Sequence, residues 1–399
     1  MAQPVRPASV SGLPPIEAIQ SPAGPESAQP QLSTSERGGL LSWVERQGPR
    51  ATLKFSERTA SGWSPATSVA SGTNWFVNWA DVPSVLRLRN GTLVAHWLQR
   101  SGPDTYAYDV RLAYSRNDGR TWSPSFSPHS DGTKTEHGFA SLFQSPAGGL
   151  GITWLDGRET SPGTTHEAHA PDTGAMTLRF GSFSQSWKQT SDAAVDRRVC
   201  DCCPTTAAVT SEGPIVAYRN RSDDEVRDIF VSRLENGEWT QPHAVHADAW
   251  KIVACPVNGP MLSAQGRSVA LAWFTGQGNQ PRSLVAFSQD AGRTFGAPVR
   301  LDDAGTLGRV DVDLLPDGSA IASWIEFAGG QAHFRMRRVE PSGTKSAAVT
   351  VSPIASARSS GYPRVSHHKG EVLFAWTDTT DGTSQVRTAA ARWPATLPR

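Results

Sequence analysis

A short run of apolar residues recurs seven times along the chain, and it usually ends on tryptophan. The residues that end the seven runs are Trp43, Trp97, Trp154, Tyr218, Trp273, Trp324 and Trp376. Successive members of this series are 51 to 64 residues apart. A nearly fixed period of this size is typical of repeated units that bury their faces against one another. The period therefore predicts an array of similar units instead of two or three unlike domains.

Each unit follows the same order of turns and strands. A turn such as Asn90-Gly91 precedes the apolar run, and a strand of alternating polar and apolar residues follows it, as in residues 110–115 and 284–288. Another tight turn and a fourth strand close the unit. Four short strands per unit, joined by turn residues, are typical of a propeller blade. We predict an all-β protein, a β-propeller of seven four-stranded blades, with six blades as the alternative.

The two ends of the chain are predicted to meet in one blade. The seventh unit ends after its third strand, at residues 386–391, and residues 15–20 have no other evident partner. Pairing these two segments would close the ring and remove an exposed strand edge. We therefore divide the chain into an extended N-terminal segment, residues 1–30, which supplies the closing strand, and a single propeller domain, residues 31–399.

A second motif lies in the turn between the third and fourth strands of two units. The fuller copy consists of Ser288, Asp290, Gly292, Thr294 and Phe295. In the copy at residues 115–122, Asn117 takes the position of the aspartate. Asp and Asn side chains accept backbone N–H groups within such turns, and glycine supplies a positive φ. On these residues the chain resembles the Asp-box (BNR) repeat proteins, the sialidase-like β-propellers, over roughly residues 30–399. Sialidases have six blades, which is why six remains the alternative count.

Composition limits the possible partners. The chain of 399 residues has 38 basic and 37 acidic side chains, which leaves a formal net charge of +1. This balance does not favour nucleic acid, which is usually bound by a basic patch or stripe. No apolar run approaches the roughly 20 residues that a membrane-spanning helix needs. We expect a monomer that binds a glycan or another small ligand.

The N-terminus and the cysteines indicate the compartment in which the protein is located. Residues 1–6 lack the apolar core of a signal peptide, and residues 1–30 are rich in Pro, Ser, Gln and Ala, as is common after a cleavage site. The clustered cysteines suit disulfide bonds, which require an oxidising compartment. We predict a periplasmic or secreted protein from which a leader has been removed.

Side chains capable of chemistry are concentrated in one set of loops. In a propeller, the first strand of each blade lines the central channel, and the loop that enters this strand opens on one face. The positions about 12 to 18 residues before the anchors include Trp79, Asp81, Glu136, His137, Cys200, Asp201, Cys202, Cys203, Cys255, Asn258, Arg309, Asp311, Tyr362 and Arg364. Polar groups that converge in one cleft are the first hypothesis for a site. His166 and His169 lie instead in a loop rich in Pro, Gly and Thr, and we expect them to be exposed.

The resemblance to sialidases implies roles for several of these residues. It makes Tyr362 the candidate nucleophile, Asp81 the acid that protonates the leaving group, and Glu136 or Glu225 the carboxylate that assists the tyrosine. Arginine suits a sugar carboxylate because its planar fork binds both oxygens. The candidates for this clamp and for the rest of the substrate site are Arg309, Arg364, Arg219, Arg221, Arg227, Trp79, Asn258 and Asp311.

One position departs from the family pattern. Where sialidases carry an aromatic-Arg-Ile-Pro motif with the first clamp arginine, this chain has Ala80-Asp81-Val82-Pro83. A carboxylate at that position would repel an anionic sugar. We therefore expect a glycoside hydrolase for a different sugar, without a cofactor, and not a standard sialidase. A noncatalytic binding scaffold is an alternative, because the fold alone does not imply activity.

The cysteines indicate a further alternative. The four cysteines of the chain are Cys200, Cys202, Cys203 and Cys255. They open two consecutive predicted blades, so neighbouring first strands bring them close together. Disulfides are the favoured interpretation, and four cysteines allow three full pairings. The alternatives are a thiolate site for copper or zinc, with His137 or Asp201 as a further ligand, and a redox pair of Cys202 and Cys203.

Overall fold

The computed structural model describes residues 14–160 and 174–392, which form seven antiparallel sheets that pack side by side as the blades of one β-propeller. The predicted all-β fold with seven blades is confirmed, and the six-blade alternative is wrong. The helices within these ranges are two single 3₁₀ turns, Gln277–Asn279 and Arg358–Ser360. Neither has the length or the apolar character of a membrane span. His166 and His169 lie outside the described residues.

The strands are numbered in chain order, and β1 is Ile16–Ile19. The first blade contains β2 (Ser27–Ser35), β3 (Gly38–Gln47), β4 (Arg50–Thr59), β5 (Gly62–Trp63) and β6 (Thr67–Gly72). The second contains β7 (Ser84–Arg87), β8 (Leu93–Arg100) and β9 (Tyr108–Ser115). The third contains β10 (His137–Gln144), β11 (Leu150–Asp156), β12 (Thr177–Phe183) and β13 (Gln189–Asp196).

The remaining strands continue around the ring. The fourth blade contains β14 (Thr206–Thr210), β15 (Gly213–Arg219), β16 (Ile229–Glu235), β17 (Glu238–Trp239) and β18 (His243–Ala244). The fifth contains β19 (Met261–Gln265), β20 (Ser268–Thr275), β21 (Arg282–Ser288) and β22 (Val299–Arg300). The sixth contains β23 (Gly305–Leu314), β24 (Ala320–Ala328), β25 (Gln331–Val339) and β26 (Val349–Ile354). The seventh contains β27 (Arg364–His368), β28 (Glu371–Asp378) and β29 (Gln385–Arg392), together with β1.

The second strand of each blade carries the recurrent apolar run and is buried on both faces. Trp43, Trp154 and Trp324 have no exposed surface. Each blade packs between two neighbours, so both faces of its second strand are covered, and this explains why the runs are continuous instead of alternating. The core is correspondingly divided into layers between blades, such as the layer that joins Val285 of the fifth blade to Trp324 of the sixth.

The N-terminal strand closes the ring, as predicted. β1 pairs with β29, with Ile16 opposite Ala391 and Ile19 opposite Thr388. The last blade therefore contains both ends of the described chain, and the outer edge of β29 is covered. The innermost strand of the first blade begins at Ser27, inside the predicted N-terminal segment.

The two Asp-box-like turns share one pattern of hydrogen bonds. Asp290 Oδ1 accepts the Ser288 hydroxyl at 2.7 Å and the Thr294 N–H at 2.9 Å. Asn117 makes the equivalent two contacts in the second blade, at 2.9 and 3.0 Å. Gly292 has a φ of +84°, which any larger residue would adopt only with strain. The side-chain oxygen thus organises the turn from within, which is why Asp and Asn are interchangeable there.

Candidate functional site at the axial mouth

The first strands of all seven blades line a central channel with a cavity of about 320 Å³. Asp81, Asp311 and Arg364 line this channel. At one end of it, the loops that precede β7, β14, β19 and β27 meet the start of β23. We call this region the axial mouth.

Contacts at the axial mouth run across the propeller axis. Trp79, before β7 of the second blade, stacks on Tyr362, before β27 of the seventh, with ring centroids 5.8 Å apart and an interplanar angle of 12°. The Arg309 guanidinium of the sixth blade lies 4.9 Å from the Trp79 ring centroid, and that of Arg358 lies 5.9 Å from it. Loops that are distant in sequence therefore converge here, and they place two cations on a half-buried indole.

Tyr362 packs against this indole. Its hydroxyl donates a hydrogen bond to the backbone carbonyl of Val257 at 2.5 Å. Burial raises the pKa of Tyr362, and the neighbouring Cys203 adds to the rise. A nucleophilic hydroxyl needs a base to take its proton, and a backbone carbonyl cannot do so. In this arrangement Tyr362 is a neutral phenol.

Asp81 and Glu136 come together around a different tyrosine. The Tyr108 hydroxyl lies 2.9 Å from Asp81 Oδ2 and 2.6 Å from Glu136 Oε1. A hydroxyl carries one proton, so a carboxyl group must supply the proton of the second contact. Burial raises the pKa of Asp81 to about 7, against opposing hydrogen bonds from Phe139 and Tyr108. This raised pKa makes Asp81 a candidate for the carboxyl group that carries this proton at and below neutral pH.

The Tyr108 cluster is closed to solvent. Tyr108 is 0% exposed, Asp81 1% and Glu136 7%, and the ring of Phe76 stacks on Tyr108 at 4.0 Å. Burial raises the pKa of Tyr108 well above its ordinary value, and the negative charge of Glu136 adds to the rise. The cluster joins the second blade to the third, and of these three residues Asp81 also lines the central channel.

A bulge in β10 creates the contact with Asp81. The register between β10 and β11 shifts between Gly138 and Ser141, and Phe139 has a φ of +51°. This conformation points the Phe139 N–H at Asp81 Oδ1, 2.8 Å away. A Cβ on Gly138 would lie 2.1 Å from Asp81 Oδ2. Glycine at position 138 is therefore required for the close approach.

Arg219 and Asn258 form part of the framework of the axial mouth. The Arg219 guanidinium donates to the backbone carbonyl of Asn258 at 2.7 and 3.0 Å, to that of Arg227 at 2.6 Å and to that of Phe274 at 2.7 Å. The Asn258 side-chain oxygen accepts the Arg309 N–H at 2.7 Å. Arg219 thus makes these hydrogen bonds to neutral carbonyls within the protein, and its side chain has a structural role.

Arg364 and Asp311 both line the inside of the channel. Asp311 accepts the N–H groups of Val312 and Val365, each at 2.9 Å, and burial raises its pKa to about 6. Arg364 Nη1 lies 3.4 Å from Met261 Sδ, and burial lowers the pKa of Arg364. Both side chains sit below the axial mouth, along the inner strands.

Glu225 lies between two arginines beside the axial mouth. It accepts hydrogen bonds from Arg221 at 2.7 Å and from Arg227 at 2.8 Å. Burial would raise the pKa of Glu225, but these two guanidinium groups outweigh it and lower the pKa. Arg221 also contacts Asp201 at 3.1 Å. Glu225 is consequently an ionised carboxylate held by ion pairs.

The four cysteines gather where the fourth and fifth blades meet the axial mouth. Cys200 Sγ lies 3.2 Å from Cys203 Sγ and 3.9 Å from Cys202 Sγ, and Cys255 packs against this group. All four are in the thiol form in the structure, and the predicted disulfides stay a prediction. Arg227 Nη1 lies 3.3 Å from Cys200 Sγ. Burial would raise the pKa of Cys200, but hydrogen bonds from the other two thiols and the charge of Arg227 lower it.

His137 belongs to a separate cluster between the second and third blades. Its nitrogens lie 3.6 Å from Asp109 Oδ1 and 3.3 Å from Asp131 Oδ2, and its ring stacks on His129 at 3.9 Å and 8°. Asp131 also contacts Arg158 at 3.3 Å. Burial lowers the pKa of His137, but Asp131, Asp156 and Asp109 together outweigh it and raise the pKa.

The geometry of this cluster favours an ion-pair network over a metal site. Imidazole lone pairs lie in the ring plane, so those of two parallel rings do not converge on one ion. Arg158 supplies positive charge to Asp131 and Asp156, at 3.3 and 2.7 Å. Among the described residues, His137 is within ligand distance of Asp109 and His129 and of Asp131 and Asp156, but not in the group formed by Cys200, Cys202 and Cys203.

Arg358 and Tyr108 belong to these clusters but were not among the candidate residues predicted from the sequence. Arg358 lies 18 residues before Trp376, inside the window searched for the other blades, so the same spacing would have found it. Tyr108 lies in the third strand of its blade, and the search was confined to the loops before first strands. Only the packing of blades shows that Tyr108 reaches Asp81.

Comparisons with known proteins establish the fold. No protein-family model matches the chain, and no curated protein matches its sequence. A protein of unknown function from Dyadobacter fermentans superposes with a TM-score of 0.54 at 13% identity, over 98% of this chain and 100% of that one. The polysaccharide lyase Uly1 gives 0.53 at 11% identity, over 92% and 89%. A NanB sialidase variant from Streptococcus pneumoniae gives 0.49 at 8%, over 94% of each chain. At these identities the likeness is one of fold.

Proposed function

We propose that this protein binds an anionic glycan at the axial mouth. The observation that carries the proposal is the indole of Trp79 with the guanidinium groups of Arg309 and Arg358 at its ring. Aromatic rings offer flat apolar surface for sugar rings, and arginine binds carboxylate or sulfate groups through two parallel hydrogen bonds. The similarity in fold to the polysaccharide lyase Uly1 supports a glycan as the ligand class.

The charges at the axial mouth favour an anion. The acceptors of the Arg309 guanidinium are the Ala357 carbonyl at 3.0 Å, the Ser360 hydroxyl at 2.7 Å and the Gly361 carbonyl at 3.3 Å, all of them neutral. Arg358 is exposed. Two positive charges thus stand near the same indole, and a uronate or a sulfated sugar would compensate them.

The aspartate that replaces the first clamp arginine does not oppose this ligand. On the sequence alone, Asp81 was expected to repel an anionic sugar. Its side chain is instead buried against Tyr108, and burial raises its pKa to about 7, which reduces its negative charge near neutral pH. It therefore presents little negative charge to the axial mouth.

Binding has more support than hydrolysis in this geometry. The phenol of Tyr362 faces a carbonyl, Asp81 and Glu136 are closed off around Tyr108, and Glu225 is held by arginines. The hydrolase predicted from the sequence resemblance needs an exposed acid and an activated nucleophile. We propose binding as the function of an exported monomer, and the assay that follows also detects cleavage.

The test is calorimetric titration of the full chain with a uronate polymer, a sulfated polysaccharide and a neutral glucan. We expect binding of an acidic polymer that weakens with salt. Trp79→Ala and Arg358→Ala should each weaken it about tenfold, which corresponds to roughly 1.4 kcal/mol. Trp187→Ala is the matched control, because this half-buried indole stacks on Tyr114 in the outer part of the propeller.

Two results would contradict the proposal. Equal affinity for the neutral glucan and the acidic polymers would show that the arginines do not contribute to binding. Unchanged affinity of Trp79→Ala for the acidic polymer would show that the ligand binds elsewhere. In the same samples, new reducing ends without unsaturated sugar ends would indicate hydrolysis, whereas new reducing ends together with unsaturated sugar ends would indicate elimination. Either product would extend the function from binding to catalysis.

A further inference from the structure

Three of the four cysteine sulfurs, those of Cys200, Cys202 and Cys203, lie within 4.8 Å of one another, as ligands of one ion do. The fourth, Cys255, lies outside this group and is hydrogen-bonded to Cys202. Four sulfurs that surround a zinc ion at about 2.3 Å are about 3.8 Å apart. The distance from Cys200 Sγ to Cys202 Sγ is 3.9 Å, and that from Cys200 Sγ to Cys203 Sγ is 3.2 Å. Two disulfides would bring the sulfurs together in separate pairs, whereas here Cys200 Sγ lies close to two other sulfurs at once.

Two neighbouring blades supply the sulfurs, and one side of the group is open. Cys200, Cys202 and Cys203 lie in the loop before β14 and are 1%, 5% and 2% exposed. Cys255 lies in the loop before β19, is half-buried and packs against the other three. The buried side excludes water from the sulfurs, and the side of Cys255 gives an ion a way in.

Positive charge surrounds the sulfurs. Arg227 Nη1 lies 3.3 Å from Cys200 Sγ. Arg219 is buried with neutral carbonyls as its hydrogen-bond acceptors, and its charge acts on Cys203. Burial of a cation without a compensating anion is costly. A zinc ion with four thiolates carries two excess negative charges, which Arg219 and Arg227 are placed to offset.

We propose that Cys200, Cys202, Cys203 and Cys255 bind one thiophilic closed-shell ion, Zn(II) or Cu(I), as thiolates. Each thiol releases its proton as it coordinates, so uptake of the ion is coupled to release of protons. Four sulfurs fill a tetrahedral shell and leave no open position, which makes this a structural site that ties the fourth blade to the fifth. The inference does not depend on glycan binding.

The structure changes the ligand set expected from the sequence. His137, which was considered as a further ligand, lies in the cluster of Asp109, Asp131 and His129, apart from the cysteines. Asp201 lies between the cysteines in sequence, but its carboxylate contacts Arg221. The proposed set is therefore sulfur alone, which favours soft or borderline ions.

The experiment uses the full chain, reduced and freed of metal with a chelator. Separate samples are titrated with Zn(II) and with Cu(I) in the presence of a competing chelator, and the ion content is read by native mass spectrometry. We expect one ion per chain, retained against the competitor, and protection of all four cysteines from alkylation. Co(II) is a spectroscopic probe and should give sulfur-to-metal charge-transfer bands with a tetrahedral d–d spectrum.

Single variants distinguish the proposed metal ligands from the residues beside them. Cys255→Ser removes the sulfur contributed by the fifth blade and should reduce ion affinity at least a hundredfold, as should Cys202→Ser. Asp201→Asn is the matched control within the same loop and should keep one ion per chain. Trp79→Ala should also keep the ion while its glycan binding weakens, so the two proposals can fail independently.

Several outcomes would overturn the proposal. One is failure of the reduced wild-type chain to retain an ion, a measurement that does not depend on the folding of any variant. Another is isolation of the native protein, without reductant, with its four cysteines in two disulfides and without metal. Loss of the ion in Asp201→Asn, with the fold intact by circular dichroism, would exclude the ligand set of four sulfurs.

Discussion

Several polar residues at the inner ends of the blades hold one blade to the next. Asp81 of the second blade accepts the N–H of Phe139 in the third, Asn258 of the fifth accepts that of Arg309 in the sixth, and Asp311 of the sixth accepts that of Val365 in the seventh. Phe139 and Arg309 both have a φ of +51°, within bulges of the inner strands. At Phe139 and Arg309 the carboxylate or amide thus satisfies a backbone N–H that the bulge removes from the sheet.

Asp81→Asn should change how stability depends on pH. Burial raises the pKa of Asp81 in the folded protein to about 7, against an ordinary value of 3.8. Between these pH values the folded chain retains a proton that the unfolded chain has lost, so wild-type stability falls as the pH rises. Asparagine resembles the protonated acid and has no such loss. The variant should gain relative stability from about pH 4 to pH 7, by at most about 1.4 kcal/mol per pH unit.

The measurement is urea unfolding of both proteins at several pH values, with the difference in unfolding free energy as the readout. Asp290→Asn is the control. Hydrogen bonds from Thr294 outweigh burial and lower the pKa of Asp290 to about 2, so its difference from wild type should stay constant above pH 4. A flat difference for Asp81→Asn as well would contradict a proton shared with Tyr108.

At the level of elements, the closing strand is short and its two faces differ. Ile16 packs on the layer between the sixth and seventh blades, and Ile19 packs on the layer between the seventh and first. Glu17 and Ala18, between them, are exposed. Four backbone pairs with β29 hold the strand in register. The isoleucines therefore carry the packing that locks the ring.

The double variant Ile16→Ala with Ile19→Ala should destabilise the propeller by about 1–2 kcal/mol per residue. This is less than the same substitution costs at a fully buried isoleucine, because both side chains are half-buried. Glu17→Ala with Ala18→Ser changes the exposed positions of the same strand and should cost less than about 0.5 kcal/mol. Thermal and urea unfolding of both double variants would measure the difference. Equal stability of the two variants would mean that β1 closes the ring through its backbone alone.

At the scale of the whole molecule, closure gives every blade two neighbours. The seam between the first and seventh blades is bridged by Arg58 and Glu371, whose charged groups are 2.8 Å apart. An open array of repeats has end units that can unfold first, whereas a closed ring has none. Because the core is divided into layers between blades, the loss of one blade would expose two layers at once.

We therefore expect one cooperative unfolding transition for the propeller. Tryptophan fluorescence reports the buried anchors of six blades, and far-ultraviolet circular dichroism reports all strands, so both signals should have the same urea midpoint. In Ile16→Ala with Ile19→Ala the common midpoint should shift as a whole. Separate midpoints for the two signals would show that blades unfold independently.

The fold was largely predictable because its signals are local and periodic. The buried second strands appear as continuous apolar runs, the turns as Asn-Gly and Asp-box residues, and the closing strand as an unpaired segment before the first unit. The gathering of the four cysteines was also predictable, because equal offsets in neighbouring units place loops side by side. The predicted export and monomeric state, and the expected disulfides, stay predictions.

The partners within the site were decided only by the tertiary structure. Sequence assigned Asp81 and Glu136 to Tyr362, but the packing of the second blade on the third brings them to Tyr108, and Tyr362 meets Val257. The physical reason is that one residue of bulge, as at Phe139, turns a side chain or an N–H to the opposite face of its strand. Periodicity determines which loops share the axial mouth, whereas the angle between blades and the bulges determine which atoms touch.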